Sequence, residues 1–205
     1  MNLPNKITLT RICFIPVFMV FVIPIPDIIL NAGFLQGIHQ QLLSINNFLL
    51  VYGSYIAAGI FIIASSTDAV DGYIARKRQL VTNFGKFLDP IADKLLVTAA
   101  LMALVQSGAV NGWAAMLIIA REFIVTGLRL VAAGEGVIIA ASKLGKLKTI
   151  MQDIAIVAAL LNNFPISLLT DFQFDDYAIL LAVIITIYSL YDYIKKNLNV
   201  INSNI

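Results

Sequence analysis

Four aspartates carry the first sign of chemistry. Asp68 and Asp71 are three residues apart, and Asp89 and Asp93 are four apart. On helices, residues at these spacings share a face. Two helices joined by a short connection run antiparallel, so two acidic faces can meet. Carboxylates gathered near a membrane repel one another unless positive charge neutralises them. Hard divalent cations with oxygen ligands, Mg²⁺ or Mn²⁺, do this economically. Two such ions, about 4 Å apart, suit phosphoryl-type transfer because they clamp the oxygens on which charge develops.

The residues between the aspartates fit that chemistry. Gly72 has no Cβ, so a ligand can approach the backbone beside Asp71. Ala75, one turn on, keeps the same face shallow. Arg76 can hold a phosphate bidentately. Gly85 lies one turn before Asp89. Pro90 lacks an N–H, so a helix through this region should begin close to it, and its start is left open. The competing reading makes the aspartates helix caps, or partners of Arg76, Lys77, Arg78, Lys86 and Lys94 in a solvated loop. Asp89 before Pro90 has the form of a cap. That reading explains one aspartate. It does not explain four of them sharing periodic faces with small residues and an arginine.

Elements that could position these residues follow from composition. The chain has 205 residues, 60% hydrophobic and 13% charged. Soluble domains carry about 45–50% apolar and about 25% charged residues. A globular core of this size cannot hide so much apolar side chain, whereas a bilayer can. A spanning helix needs about 20 apolar residues. Six stretches qualify: 7–25, 48–66, 87–106, 113–131, 149–163 and 177–194, the fifth being short unless it begins near Gly145. The expected fold is all-α, a polytopic membrane protein of one domain, 1–205, with six transmembrane helices. Segments 27–47, 67–86, 107–112, 134–148 and 164–176 are expected to connect them.

Charge assigns the sides. Every Lys and Arg outside the spans lies at the N-terminus, in the second or fourth connection, or at the C-terminus. The last connection carries Asp171, Asp175 and Asp176 instead. Positive residues stay on the cytoplasmic side. Both termini, and the aspartates, are therefore expected there, which requires an even number of spans. The first span follows Lys6 and Arg11 as a signal peptide would. It lacks an A-x-A cleavage site and is broken by Pro16, Pro24 and Pro26, so it is expected to remain uncleaved.

Other chemistries find little support. The single cysteine, Cys13, cannot form an internal disulfide and is expected as a small buried hydrophobe. The single histidine, His39, lies in a polar linker. Acid–base and metal chemistry therefore falls to the carboxylates.

A second polar constellation is basic. Arg121, Glu122 and Arg129 interrupt the fourth span. Charges at such depth are costly and face a cavity or each other. Adjacent helical residues diverge by about 100°, which argues for Arg121 pointing into a cavity rather than at Glu122. Arg129, nearer the end, can snorkel. The segment Ser142-Lys143-Leu144-Gly145-Lys146-Leu147-Lys148-Thr149-x2-Gln152 holds three lysines, with Asp153 following. Taken alone, such lysines anchor a helix to anionic lipid. With Arg121, the lysines Lys143, Lys146 and Lys148 suggest a second anionic pocket, suited to an acceptor that carries its own phosphate.

The string from Asp68 to Asp93 resembles, at every fixed position, the signature D-x2-D-G-x2-A-R-x8-G-x3-D-x3-D of the CDP-alcohol phosphatidyltransferase family. Eight fixed positions at residue frequencies near 5% match by chance on the order of once in 10¹⁰ windows. The resemblance implies a six-helix membrane enzyme with both ends cytoplasmic, acting in the cell membrane as a homodimer. It implies two divalent metal ions, held by Asp68, Asp71, Asp89 and Asp93, with Asp93 also the general base. It implies a CDP pocket lined by Asp68, Asp71, Gly72, Arg76 and Gly85, CDP-diacylglycerol as phosphatidyl donor, CMP as leaving group, and no nucleic-acid partner. The Arg121–Phe123 triplet, the basic segment and the opening Asn5-x2-Thr8-x2-Arg11 look like the branch that accepts sn-glycerol 3-phosphate. Asn5, Thr8, Arg11 and Arg129 are further candidates for its site. Inositol phosphate or phosphatidylglycerol as acceptor are the alternatives within the family. From another class, a cation-coupled transporter would also carry intramembrane acids, but spread over several helices near mid-membrane.

Overall fold

A computed structural model describes residues 3–78, 83–134, 142–170 and 172–197; the side chains of 3–8, 34–35, 68–78, 83–90, 93 and 143 are not described. Every regular element among the described residues is helical. In chain order the α-helices are α1 (Leu3–Val22), α2 (Asp27–Leu30), α3 (His39–Phe48), α4 (Ser54–Arg78), α5 (Asn83–Gln106), α6 (Gly112–Gly134), α7 (Lys143–Leu160) and α8 (Phe174–Lys196). Short 3₁₀ helices occupy Gly33–Ile38 and Ile166–Leu168, and a π turn, Leu49–Gly53, joins α3 to α4. The chain divides into two compact units, Met1–Ala103 and Leu104–Ile205.

In the first unit α1 packs on α4. Ala57, Phe61 and Ala64 recur at helical spacing and are buried, and Phe61 meets Phe18 with ring centroids 6.4 Å apart. Gly53 permits the close approach of the two helices, because a Cβ there would collide with the Phe21 carbonyl. The segment after α1 is tied back by the Ile25 N–H donating to Asn46 Oδ1 (2.8 Å), and His39 Nδ1 donates to the Leu30 carbonyl (2.8 Å).

In the second unit α8 packs on both α6 and α7. Its buried face is Ala178, Ala182, Thr186, Ser189 and Tyr193, a three-and-four spacing. The facing stripes are Ala115, Ile118, Arg121 and Val125 on α6, and Lys148, Gln152, Ala155, Ile156 and Ala159 on α7. Ser142 caps α7, its Oγ accepting from the Gly145 N–H at 3.0 Å. Past the other end, Asn162 and Asn163 adopt positive φ, which asparagine tolerates better than most residues. Asn163 then holds the following loop, donating to the Phe172 carbonyl and accepting from the Phe174 N–H. Asp175 and Asp176 open α8 while Lys195 and Lys196 close it, both favourable to the helix dipole.

Polarity in the second unit is inverted relative to a soluble domain. Arg121, Lys148, Gln152, Thr186 and Ser189 are buried, while Trp113, Leu130, Leu180, Ile184 and Ile187 are exposed. Water favours the opposite arrangement; hydrocarbon solvent favours this one. Among the described residues two helical stretches, Gln36–Thr67 and Phe174–Lys196, are long and apolar enough to cross a bilayer, with shorter apolar helices at Leu9–Val22 and Lys94–Gln106. The uninterrupted helices α6 and α7 carry the charges named above.

Three sequence expectations are corrected. Segment 27–47 is not an open linker, because α2, a 3₁₀ turn and α3 fill most of it. The His39–Phe48 stretch is polar and buries no residue, so a search for apolar runs passes over it. Pro90 lies well inside α5 rather than near its start, so Asp89 is no helix cap. One missing i→i−4 bond, at the Lys86 carbonyl, is a loss the rest of a 24-residue helix absorbs. Cys13 is exposed rather than buried. It lies two residues from buried Arg11, about 200° around a helix whose apolar residues mark no single inward face.

Candidate active site

The backbone places the first acidic pair, Asp68 and Asp71, with Gly72 and Arg76, in the last turns of α4. Gly85, Asp89 and Asp93 lie in the first half of α5. The next described residue after Arg78 is Asn83, so the two acidic pairs stand on consecutive helices at facing ends of one short connection. Within each pair the helical register puts both residues on one face. The side chains of these seven residues lie outside the described ones. As a donor set they suit hard divalent ions: all four candidate ligands are carboxylates, with no sulfur or imidazole among them. No group of three or more His, Cys, Asp or Glu is gathered among the described residues.

Arg121, on α6, is 6% exposed. Its Nη2 donates to Ser189 Oγ on α8 at 2.7 Å. Its Nη1 lies 3.6 Å from Glu122 Oε1. The divergence of adjacent residues does not keep this pair apart, because both side chains are long enough to bend toward one another. Lys148, on α7, is fully buried and donates to the same Glu122 oxygen. Asp153 adds a favourable charge interaction with Lys148 and Arg121 an unfavourable one. The α7 N-terminus also reaches Arg121: a Cβ at Gly145 would stand 3.7 Å from Arg121 Nη2. One carboxylate thus gathers two cations from two helices, and a serine from a third helix holds one of them.

The remaining basic candidates separate. Lys146 is exposed, two residues and about 200° from Lys148. The side chain of Lys143 is not described. Arg129 lies over the Tyr193 ring, 5.6 Å from its centroid, and its charge also acts unfavourably on Arg121. Arg11 is buried in α1, and the side chains of Asn5 and Thr8 are not described. Sequence reasoning overlooked Ser189. A lone serine in an apolar helix gives no signal by itself; its spacing with Thr186 and Tyr193 on one face was the available one.

Ser189→Ala would leave a buried Arg121 N–H without its acceptor. Such losses at charged groups cost about 1–3 kcal/mol. Thermal unfolding in detergent should show a lowered midpoint for Ser189→Ala and a smaller loss for Ser189→Thr, which keeps the oxygen.

Comparison with known proteins identifies the family. The profile of the CDP-alcohol phosphatidyltransferase family matches residues 1–188. The chain is 52% identical, over 96% of its length and 95% of the relative's, to a CDP-diacylglycerol–glycerol-3-phosphate 3-phosphatidyltransferase of Bacillus subtilis (strain 168). It is 37% identical, over 95% of its length and 96% of the relative's, to the protein of the same name from Rickettsia typhi (strain ATCC VR-144 / Wilmington). A complete eight-position signature, on two consecutive helices and inside a match spanning nearly the whole chain, leaves one conclusion: this chain belongs to the CDP-alcohol phosphatidyltransferase family.

Proposed function

We propose that the chain is an integral membrane transferase that moves the phosphatidyl group of CDP-diacylglycerol onto sn-glycerol 3-phosphate, giving phosphatidylglycerophosphate and CMP. What carries this reading is the near end-to-end similarity to relatives bearing that activity in their names, together with the intact signature. The family is divalent-metal dependent. Two ions, Mg²⁺ or Mn²⁺, when bound would neutralise charge on the donor's diphosphate oxygens.

The chain's own residues then divide the work. Asp68, Asp71, Asp89 and Asp93 would hold the ions. Gly72 and Gly85 leave room for CDP, and Arg76 pairs with its phosphate. Asp93 takes the proton from the primary hydroxyl of the acceptor. That oxygen bonds to the β-phosphorus, the bond from the β-phosphorus to the bridging oxygen breaks, and CMP leaves with the electron pair. Arg121 and Lys148 hold the acceptor's own phosphate, with Lys143 and Lys146 adding positive charge. Burial suits Arg121 and Lys148 to that task, since a charge removed from water acts more strongly.

The whole chain works as one domain with six membrane-spanning helices and cytoplasmic termini. Each of the six apolar stretches falls largely within a helix, and the positive-inside distribution sets the orientation. The site then faces the cytoplasm at the cell membrane, where a lipid substrate and a water-soluble one can both reach it. The homodimer rests on the family resemblance.

The test is CMP release by purified protein in detergent. CDP-diacylglycerol and Mg²⁺ or Mn²⁺ are supplied with glycerol 3-phosphate, inositol 1-phosphate, serine or phosphatidylglycerol in separate reactions. Metal-dependent release with glycerol 3-phosphate alone is expected. Release with none of them, from folded protein, would restore the transport reading. In the same assay Arg121→Ala should raise KM for glycerol 3-phosphate by about 10- to 100-fold, the range of a lost charge-assisted hydrogen bond, with a smaller change in kcat. Lys146→Ala, on the exposed side of α7, should do less. Unchanged kinetics in Arg121→Ala would remove Arg121 from the acceptor site.

A further inference from the structure

Several buried polar atoms of the second unit lack a hydrogen-bond partner, Arg129 Nε, Thr186 Oγ1 and the Tyr193 hydroxyl among them, and two others belong to the basic cluster and the helical turn beside it. Gln152 follows Lys148 by one helical turn on α7 and is 2% exposed. Its Oε1 has no hydrogen-bond partner. Arg121 Nε, whose guanidinium reaches the first turn of α7, is also without one. Buried polar atoms are almost always paired, so an orphan beside a candidate site marks a place where a ligand group completes the bonding.

The two orphans differ in kind. Arg121 Nε–H is a donor, suited to a phosphate oxygen. The Gln152 oxygen is an acceptor and would repel a phosphate. It suits a hydroxyl, which satisfies a carboxamide in either orientation because it both donates and accepts. The acceptor has three polar parts. Its phosphate requires the cations, and its C1 hydroxyl is the nucleophile, so the C2 hydroxyl remains for a neutral partner. One turn of helix, about 5.4 Å, separates the lysine level from the glutamine level, a separation matched to a three-carbon chain.

We propose that Gln152 is a specificity-determining residue that reads the C2 hydroxyl of the acceptor, one turn from the lysine that holds its phosphate. This rests on the acceptor assignment made under Proposed function. A site that pairs a buried amide with a substrate hydroxyl rejects analogues lacking it, because the amide is then left unpaired.

The experiment compares sn-glycerol 3-phosphate with 3-hydroxypropyl phosphate, which keeps the phosphate and the nucleophilic hydroxyl but lacks the C2 hydroxyl. Both are run with wild type, Gln152→Leu and Gln152→Met. The methionine keeps the length and flexibility of the side chain and serves if the leucine variant does not fold. Wild type should favour glycerol 3-phosphate in kcat/KM by about 10- to 100-fold. The variants should lose that factor with glycerol 3-phosphate and stay near wild type with the analogue. A merely structural glutamine would weaken both acceptors alike, and that result overturns the proposal. Equal use of the two acceptors by wild type overturns it as well and leaves the function standing. Absence of CMP release from wild type with glycerol 3-phosphate overturns the function and this proposal together.

Discussion

Asp93→Asn should lower kcat for CMP release by about two to four orders of magnitude, the range that general acid–base groups contribute. Asparagine keeps the size and an oxygen but cannot take the acceptor's proton. Asp89→Asn should act differently: it removes a metal-holding charge without removing the base, so its loss should shrink as Mg²⁺ or Mn²⁺ is raised. A stability measurement separates both from the capping or ion-pair alternative. Four carboxylates without metal repel one another, so replacing one by a neutral amide should leave the metal-free protein as stable as wild type, or more stable. A capping or ion-paired aspartate would instead cost stability whether or not metal is present. Full activity in both variants would end the two-metal reading.

Glu122→Ala should destabilise the protein by about 3 kcal/mol, the lower end for removing one partner of a buried pair. For a chain of this size that corresponds to a fall in midpoint of roughly 6–12 °C. Lys148 is fully buried, so its charge cannot turn to water when Glu122 is lost. Asp153 offsets part of the loss, which is why the lower end is taken. Combining Glu122→Ala with Lys148→Met should recover part of the stability, since the unpaired lysine goes with its partner while Arg121, which also faces Glu122, stays buried. The Asp192–Lys196 pair in the same unit is the control. Its lysine side chain is 63% exposed at i,i+4 spacing, so Asp192→Ala should cost about 0.5 kcal/mol or less. A Glu122 effect as small as that would mean that Lys148 finds equivalent compensation elsewhere.

How far each constellation was legible depends on how its residues are connected. The acidic one can be proposed from sequence because its order is local: two pairs at i,i+3 and i,i+4 spacing, which the backbone places on consecutive helices. Local spacing is converted into geometry by the helix itself, without help from packing. The six apolar stretches were legible for a similar reason, since hydrophobic length alone selects a helix in a bilayer. Polar helices such as α3 gave no such signal.

The basic constellation was legible only as a list of residue types. Arg121, Lys148 and Ser189 come from three helices, and nothing in their sequence separation says that they meet. Packing of α8 against α6 and α7 decided that Glu122 gathers two cations. Packing likewise decided that Lys148 is buried while Lys146 is exposed, and that Gln152 is left with an unpaired oxygen. By itself the sequence determined the family and the helical character of the chain, because each rests on local spacing or on bulk hydrophobicity, and it supplied the metal-type donor set proposed above. Which of the basic residues stand together was left to tertiary structure, because a helix rotation of one residue moves a side chain by about 100° and only contact with neighbouring helices sets that angle.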